Sequence, residues 1–259
     1  MYEFDYKRPG TIDEAAGLLN DDTVLLAGGQ TLIPTLKQRL AQPEALVDLS
    51  AIESLRGVCP DGDQLAIGAM TTHAEVANKA TIPVLSSLAS GIGDAQVRNR
   101  GTIGGSIANN DPAADYPAAV VGLNAVVSTN RRTIGADDFF TDLFETALEE
   151  GEIITNVTFP KPEAAAYIKF DNPASRYAIV GVMVAKTSSG IRVAVTGAGP
   201  CVFRQTEMET ALSGSFTTQA LENISVSADG LNSDIHASAE YRANLIKVLA
   251  KRAVAQING

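Results

Sequence analysis

Residues 96–115, QVRNRGTIGGSIANNDPAAD, constrain this chain more than any other stretch. Two arginines, a glycine doublet flanked by hydroxyls and two aspartates sit together with almost no large apolar side chain, a composition that a plain core element does not tolerate. Gly104 and Gly105 carry no Cβ, so the backbone there can take unusual dihedrals and bring its N–H groups against a bound group. Successive N–H donors suit a diphosphate. Thr102 and Ser106 add hydroxyls, and Arg98 and Arg100 can offset phosphate charge or hold a carboxylate. Asp111 and Asp115 would repel a phosphate and suit the hydroxyls of a sugar or ribityl chain. Taken alone, a glycine doublet is more often a tight turn between a helix and a strand.

A second doublet changes that balance. AGGQT, residues 27–31, follows the apolar run Val24, Leu25, Leu26 and precedes a helical segment over 32–40 with Pro34 in its first turn. Strand, glycine turn and helix N-terminus form an anion cradle, because first-turn N–H groups are unpaired and the helix dipole favours negative charge there. Neither doublet fits the G-x-G-x-x-G or G-x-x-x-x-G-K-[ST] fingerprints. Two doublets, each beside hydroxyls, predict two loops closing on one diphosphate from opposite sides.

LLAGGQTLIPTLKQRLAQPEALVDLS and QVRNRGTIGGSIANNDPAADYPA, followed by GEIITNVTFP and KFDNPASRYAIVGVMVA, closely resemble the FAD-binding medium subunit of molybdenum hydroxylases, nearest the aerobic carbon monoxide dehydrogenase branch and related to xanthine dehydrogenase. The resemblance runs nearly end to end. It implies an α+β chain: a vanillyl-alcohol-oxidase (PCMH-type) FAD-binding domain of two α/β subdomains over 1–160 (about 1–56 and 57–160), then a C-terminal domain over 161–259 with a three-stranded antiparallel sheet and helices. It also implies that Leu25, Leu26, Ala27, Gly28, Gly29, Gln30, Thr31 and Leu32, with Gly101, Thr102, Ile103, Gly104, Gly105 and Ser106, hold the FAD diphosphate. Asp115 matches the family's FAD-contacting aspartate and Ile92 the apolar position upstream. Ile154 and Lys169 would reach FAD from a strand and from the C-terminal sheet, the lysine favouring the reduced anion by Coulomb attraction. Tyr177 would shield one face of the isoalloxazine. Asn109 stands where many relatives have histidine, and Thr31 where serine is common.

The same resemblance implies partners: a large molybdopterin-binding subunit, a small subunit with two [2Fe-2S] clusters, a hetero-oligomer such as a dimer of heterotrimers, and an external electron acceptor. A stand-alone flavin oxidoreductase of the same superfamily would need its own acid and base beside the flavin, and none stands out. A nucleotide-binding regulatory module would be colourless, whereas both flavin readings predict a yellow protein.

The rest of the chain agrees with a cofactor doing the chemistry. No Ser/His/Asp or Cys/His arrangement, metal cluster or tuned carboxylate pair stands out, so no catalytic or metal-ligating residue is expected. His73 and His236 read as structural. Cys59 and Cys201, expected as two buried thiols, cannot build a disulfide framework or an iron–sulfur cluster. A net charge of -10 argues against nucleic acid and anionic membrane as partners. With no apolar run long enough to span a bilayer and no leader-like start, the chain reads as cytoplasmic.

Local signals predict helices over 11–20, 32–40, 83–92, 117–123 and 239–257, with capping-box patterns at Thr11 and Thr72. Strands are expected over 24–27, 46–49, 65–69, 125–128 and 152–159, then 167–170, 178–186 and 191–196. Residues 59–64 read as a turn, Pro160 and Pro162 mark the domain boundary, and Phe139, Phe140 and Phe144 read as core.

Overall fold

The computed structural model describes the whole chain, residues 1–259. Its first part contains β1 (Asp5–Lys7), α1 (Ile12–Gly17), β2 (Thr23–Leu26), α2 (Leu32–Lys37) and β3 (Ala45–Asp48). The strands form a parallel sheet in the order β1-β3-β2, with β3 buried throughout. Thr11 caps α1 by accepting from the Glu14 N–H, and Glu14 reaches back to the Gly10 N–H at 2.8 Å. The core here is small and includes Met70 and Ile153 from the next part of the chain, so this sheet depends on its neighbour for stability. β1 was not foreseen: three residues, all exposed, carry no alternation to read.

The second part contains β4 (Val58–Asp61), β5 (Gln64–Gly68), α3 (His73–Lys79), α4 (Pro83–Ser90), α5 (Ala95–Arg98), α6 (Ile103–Asn109), α7 (Tyr116–Gly122), β6 (Val126–Thr129), β7 (Thr133–Gly135), α8 (Ala136–Phe139), β8 (Phe140–Asp142), β9 (Glu145–Thr146) and β10 (Ile154–Pro160). Its sheet runs β4-β5-β10-β6-β7 and every pairing is antiparallel, which corrects the expected α/β character of this subdomain to α+β. The strand expected beside the domain boundary, β10, is the central one. Residues 59–64 are a hairpin rather than a turn, with only Gly62 and Asp63 between β4 and β5. Cys59 is exposed on the edge strand β4, against the expectation of burial. Phe139 and Phe140 are core, whereas Phe144 is 57% exposed.

The third part contains β11 (Ala164–Asp171), β12 (Ala178–Thr187), β13 (Gly190–Thr196), β14 (Phe203–Arg204), α9 (Thr206–Gly214) and α10 (Ala239–Asn258). The three expected antiparallel strands are present and a two-residue fourth, β14, extends them. β12 is buried on both faces over most of its length. The helix α10 covers one face, where Leu245, Ile246, Leu249 and Ala253 meet Val180, Val182 and Val184 in one core. On the other face Met183, Ala185 and Ala194 join the core that holds α7, tying this sheet to the second part.

Candidate functional site

The two glycine loops meet. A Cβ built on Gly28 would overlap the Arg100 carbonyl oxygen and stand 2.8 Å from the Gly101 Cα, and one on Gly105 would lie 3.3 Å from the Ala27 Cβ. Loop 27–31, between β2 and α2, therefore rests backbone to backbone on the segment leading into α6.

Their donors differ. The backbone N–H groups of Gly28, Gly29, Gln30 and Thr31 donate to no protein acceptor, and the Thr31 hydroxyl makes no cap bond. Gly29 has φ +73°, the left-handed turn that aims this run of donors. In the second loop, the expected donors are already engaged. Gly104 N–H donates to Ala69 O at 2.9 Å, and Gly105 N–H to the Thr102 hydroxyl at 3.1 Å. Ile103 and Ser106 N–H groups are also bonded within the protein, which leaves only Thr102 N–H free over 101–106. Gly104 and Gly105 are not a loop but the first turn of α6, capped by Thr102. The physical reason for Gly104 is proximity: a Cβ would stand 2.6 Å from the Ala69 Cβ and 2.7 Å from its carbonyl oxygen. α2 spans only 6 residues, so what loop 27–31 can offer an anion is its unpaired donors rather than a long dipole.

The arginines separate. Arg98 donates to the carbonyls of Ile92 and Gly93, at 3.0 and 2.8 Å, and holds that turn; it is not free for a phosphate. Arg100 is exposed beside Gly28 and makes no side-chain bond. His73 lies under the second loop: its N–H donates to Gly101 O, and a Cβ on Gly101 would meet its Nε2 at 2.5 Å. Burial, then the charge of Arg98, hold its imidazole down to about 4, so it is neutral. Its Nδ1 is buried without a partner.

Across the 7 residues of α6, about 10 Å at 1.5 Å per residue, a second constellation forms. Asp115, 4% exposed, accepts from Tyr167 OH at 2.6 Å and from Lys169 Nζ at 3.2 Å. Lys169 also donates to Gly91 O and Arg176 O, both at 3.0 Å. Burial pushes the Asp115 carboxyl up, and Lys169 and Tyr167 oppose that. The ammonium is thus paired, not a free charge, which weakens its expected Coulomb effect on a flavin. The loop before Asp115 is sewn to the third sheet: Gly197 N–H donates to Pro112 O at 2.7 Å, and Thr196 hydroxyl to Ala114 O at 2.7 Å.

Tyr177 is 46% exposed at the rim of this constellation; partial burial, then the charges of Asp111 and Asp115, push its phenol up. Asp111 is half-buried and closes its own turn by accepting from Ala113 N–H. Ile92 is partly buried against the main core and Ile154, 6% exposed, lies within it. Leu25 and Ala27 pack on the small core of the first part. Tyr167 escaped the sequence reading, although it sits two residues before Lys169 and so on the same strand face. His73 gave no such signal.

The chain thus offers unpaired donors and an unbonded arginine at loop 27–31, and a hydrogen-bonded acid, lysine and exposed tyrosine beyond α6. That arrangement fits an extended dinucleotide: a diphosphate on loop 27–31 with Arg100, and a ring system beside Tyr177. Fold and donor pattern together point to the class, a protein that holds a dinucleotide cofactor.

Comparison with known proteins narrows the class. Residues 2–162 match the family model described as FAD binding domain in molybdopterin dehydrogenase, and residues 165–257 the CO dehydrogenase flavoprotein C-terminal domain. The chain is 34% identical to the nicotine 6-hydroxylase medium subunit of Paenarthrobacter nicotinovorans, over 97% of this chain and 96% of that protein. It is 35% identical to the carbon monoxide dehydrogenase medium chain of Hydrogenophaga pseudoflava, over 97% and 96%. A carbon monoxide dehydrogenase structure from the latter organism superposes with a TM-score of 0.90 at 34% identity, covering 99% of this chain and 97% of that one. The chain belongs to the family of FAD-binding medium subunits of molybdenum hydroxylases, and is an oxidoreductase subunit with FAD as its cofactor. No helix is long and apolar enough to cross a membrane.

Proposed function

We propose that this chain is the electron-relay subunit of a cytoplasmic heterotrimeric molybdenum hydroxylase, working with a large molybdopterin subunit and a small subunit that carries two [2Fe-2S] clusters. Bound FAD supplies the redox chemistry, taking electrons from the partner's clusters and giving them to an external acceptor. This chain's own residues bind and orient it. Gly28, Gly29, Gln30 and Thr31 donate their N–H groups to the diphosphate, and Arg100 offsets its charge. Gly101, Thr102, Ile103, Gly104, Gly105 and Ser106 bring α6 close enough to close the cradle, with the Thr102 hydroxyl capping the helix and the Ser106 hydroxyl toward the ligand. Leu25, Leu26, Ala27, Leu32, Ile92 and Ile154 exclude water along it. Asp115, held by Tyr167 and Lys169, meets the ribityl end, and Tyr177 covers the ring. The unit over 1–160 carries the cofactor, in two subdomains divided near residue 56, and 161–259 buttresses the Asp115 loop.

The observation that supports this reading best is the abutment of Gly28 on Arg100 beside four unpaired N–H donors. Untagged purification from the native cell tests it. The expected preparation is yellow, releases FAD on denaturation, and contains a molybdenum-bearing polypeptide and a cluster-bearing one. An FAD-loaded chain that isolates alone and oxidises a substrate unaided would overturn it.

A further inference from the structure

The β8–β9 hairpin turns through Leu143 and Phe144, which are 52% and 57% exposed. Phe144 has φ +55°, a left-handed conformation that glycine or asparagine ordinarily takes and a bulky side chain resists. Stability alone would favour glycine there. The hairpin is also held rigidly. Asn110, fully buried and itself at φ +42°, donates from Nδ2 to Asp142 O at 2.8 Å and to Glu145 O at 2.7 Å, one on each side of the tip. One strained residue, Phe144, presenting an exposed aromatic on a frame that Asn110 fixes as the left-handed cap of α6, fits a docking anchor better than a loose loop.

Charge selects the occupant. Asp142 and Glu145 flank the tip, and residues 137–150 hold Asp137, Asp138, Asp142, Glu145, Glu149 and Glu150 with no lysine or arginine. Of these only Asp137 and Glu149 form ion pairs, with Arg192 and Arg204 and with Arg131 and Arg132. The matching surface is an apolar socket rimmed by cations. A second copy meeting this tip about a two-fold axis would set acid against acid, so a self-contact is disfavoured. Position narrows it further: Asn110 ends α6 and is followed by Asp111, whose charge acts on Tyr177, the residue proposed above to cover the flavin ring.

We propose that the Leu143–Phe144 tip is the anchor by which this chain docks the cation-rimmed surface of its electron-donating, cluster-bearing partner. This rests on the relay function proposed above. The test is untagged purification of the assembly from the native cell for wild type and for Phe144→Gly, Phe144→Asp and Glu145→Lys. Each preparation is scored for FAD per chain and for the iron–sulfur polypeptide, identified by cluster absorbance and iron content. All variants should keep FAD. Phe144→Gly should raise the thermal midpoint of the isolated chain, because it relieves the left-handed strain, and yet weaken partner association at least tenfold. Phe144→Asp and Glu145→Lys should weaken it likewise. Wild-type association of Phe144→Gly overturns the proposal even if Phe144→Asp fails to fold. So does loss of a self-dimer with the partner still bound. Absence of any cluster polypeptide with wild type sinks the relay function and this anchor together.

Discussion

The Gly28 backbone lies so close to the Arg100 carbonyl that no side chain fits between them, and a Cβ would also stand 2.8 Å from the Gly101 Cα. Backbone cannot yield as a flexible side chain does. Gly28→Ala should part the loops, lower FAD affinity at least tenfold and destabilise the chain by about 1–3 kcal/mol. Gly17 has nothing within 4 Å, so Gly17→Ala is the neutral control. Retained FAD at wild-type affinity in Gly28→Ala, by fluorescence titration, would remove the cradle argument.

Gly29 and Gly104 should fail differently. A Cβ on Gly29 meets mainly the tip of Ile33, and its φ of +73° costs a non-glycine residue about 1–2 kcal/mol. Gly29→Leu should therefore empty the FAD site and leave the fold largely intact. Gly104 is buried against Ala69 backbone, so Gly104→Leu should lose FAD and fold together. Urea midpoints beside flavin content separate the two; equal midpoints would contradict the packing.

Lys169→Met would leave the Asp115 carboxylate buried with Tyr167 alone. Stranding one member of a buried ion pair costs about 3–5 kcal/mol. Lys169→Met with Asp115→Asn should recover much of that loss, because no charge is then left unpaired. Chemical denaturation of the single and double variants measures it, and a cost near zero for Lys169→Met would show that the pair does not hold the loop.

Acid should destabilise the chain in two stages. His73 is held down to about 4, so between its ordinary 6.5 and that value the unfolded chain takes a proton that the folded one refuses, and stability falls as pH falls. Hydrogen bonds from Arg132, against the penalty of burial and aided by the Glu149 N–H and Thr129, hold Glu152 down to about 2. Its contribution is present above the ordinary 4.5 and is lost as pH drops toward 2. Thermal midpoints across this range should lose the upper stage in His73→Phe and the lower one in Glu152→Gln. Unchanged pH profiles in both would refute the assignment.

What the sequence determined by itself was local or carried by motif. Thr72 with Glu75 makes the capping box that the pattern predicts, and the 20-residue α10 follows its apolar periodicity. Both glycine doublets and the family followed from the order of residues alone. Tertiary structure decided the rest. Gly104 looked like a phosphate-binding loop, but its N–H is bonded to Ala69; Arg98 looked like an anion ligand, but it holds carbonyls of its own turn. β10 reached the centre of its sheet by pairing with β5 and β6, and Phe144 stayed outside the core on a strained hairpin. The physical reason is common to all of these. Capping and periodicity depend on neighbours a turn away, whereas the partner of an N–H, a carboxylate or a strand edge is set by chain segments brought together only on folding.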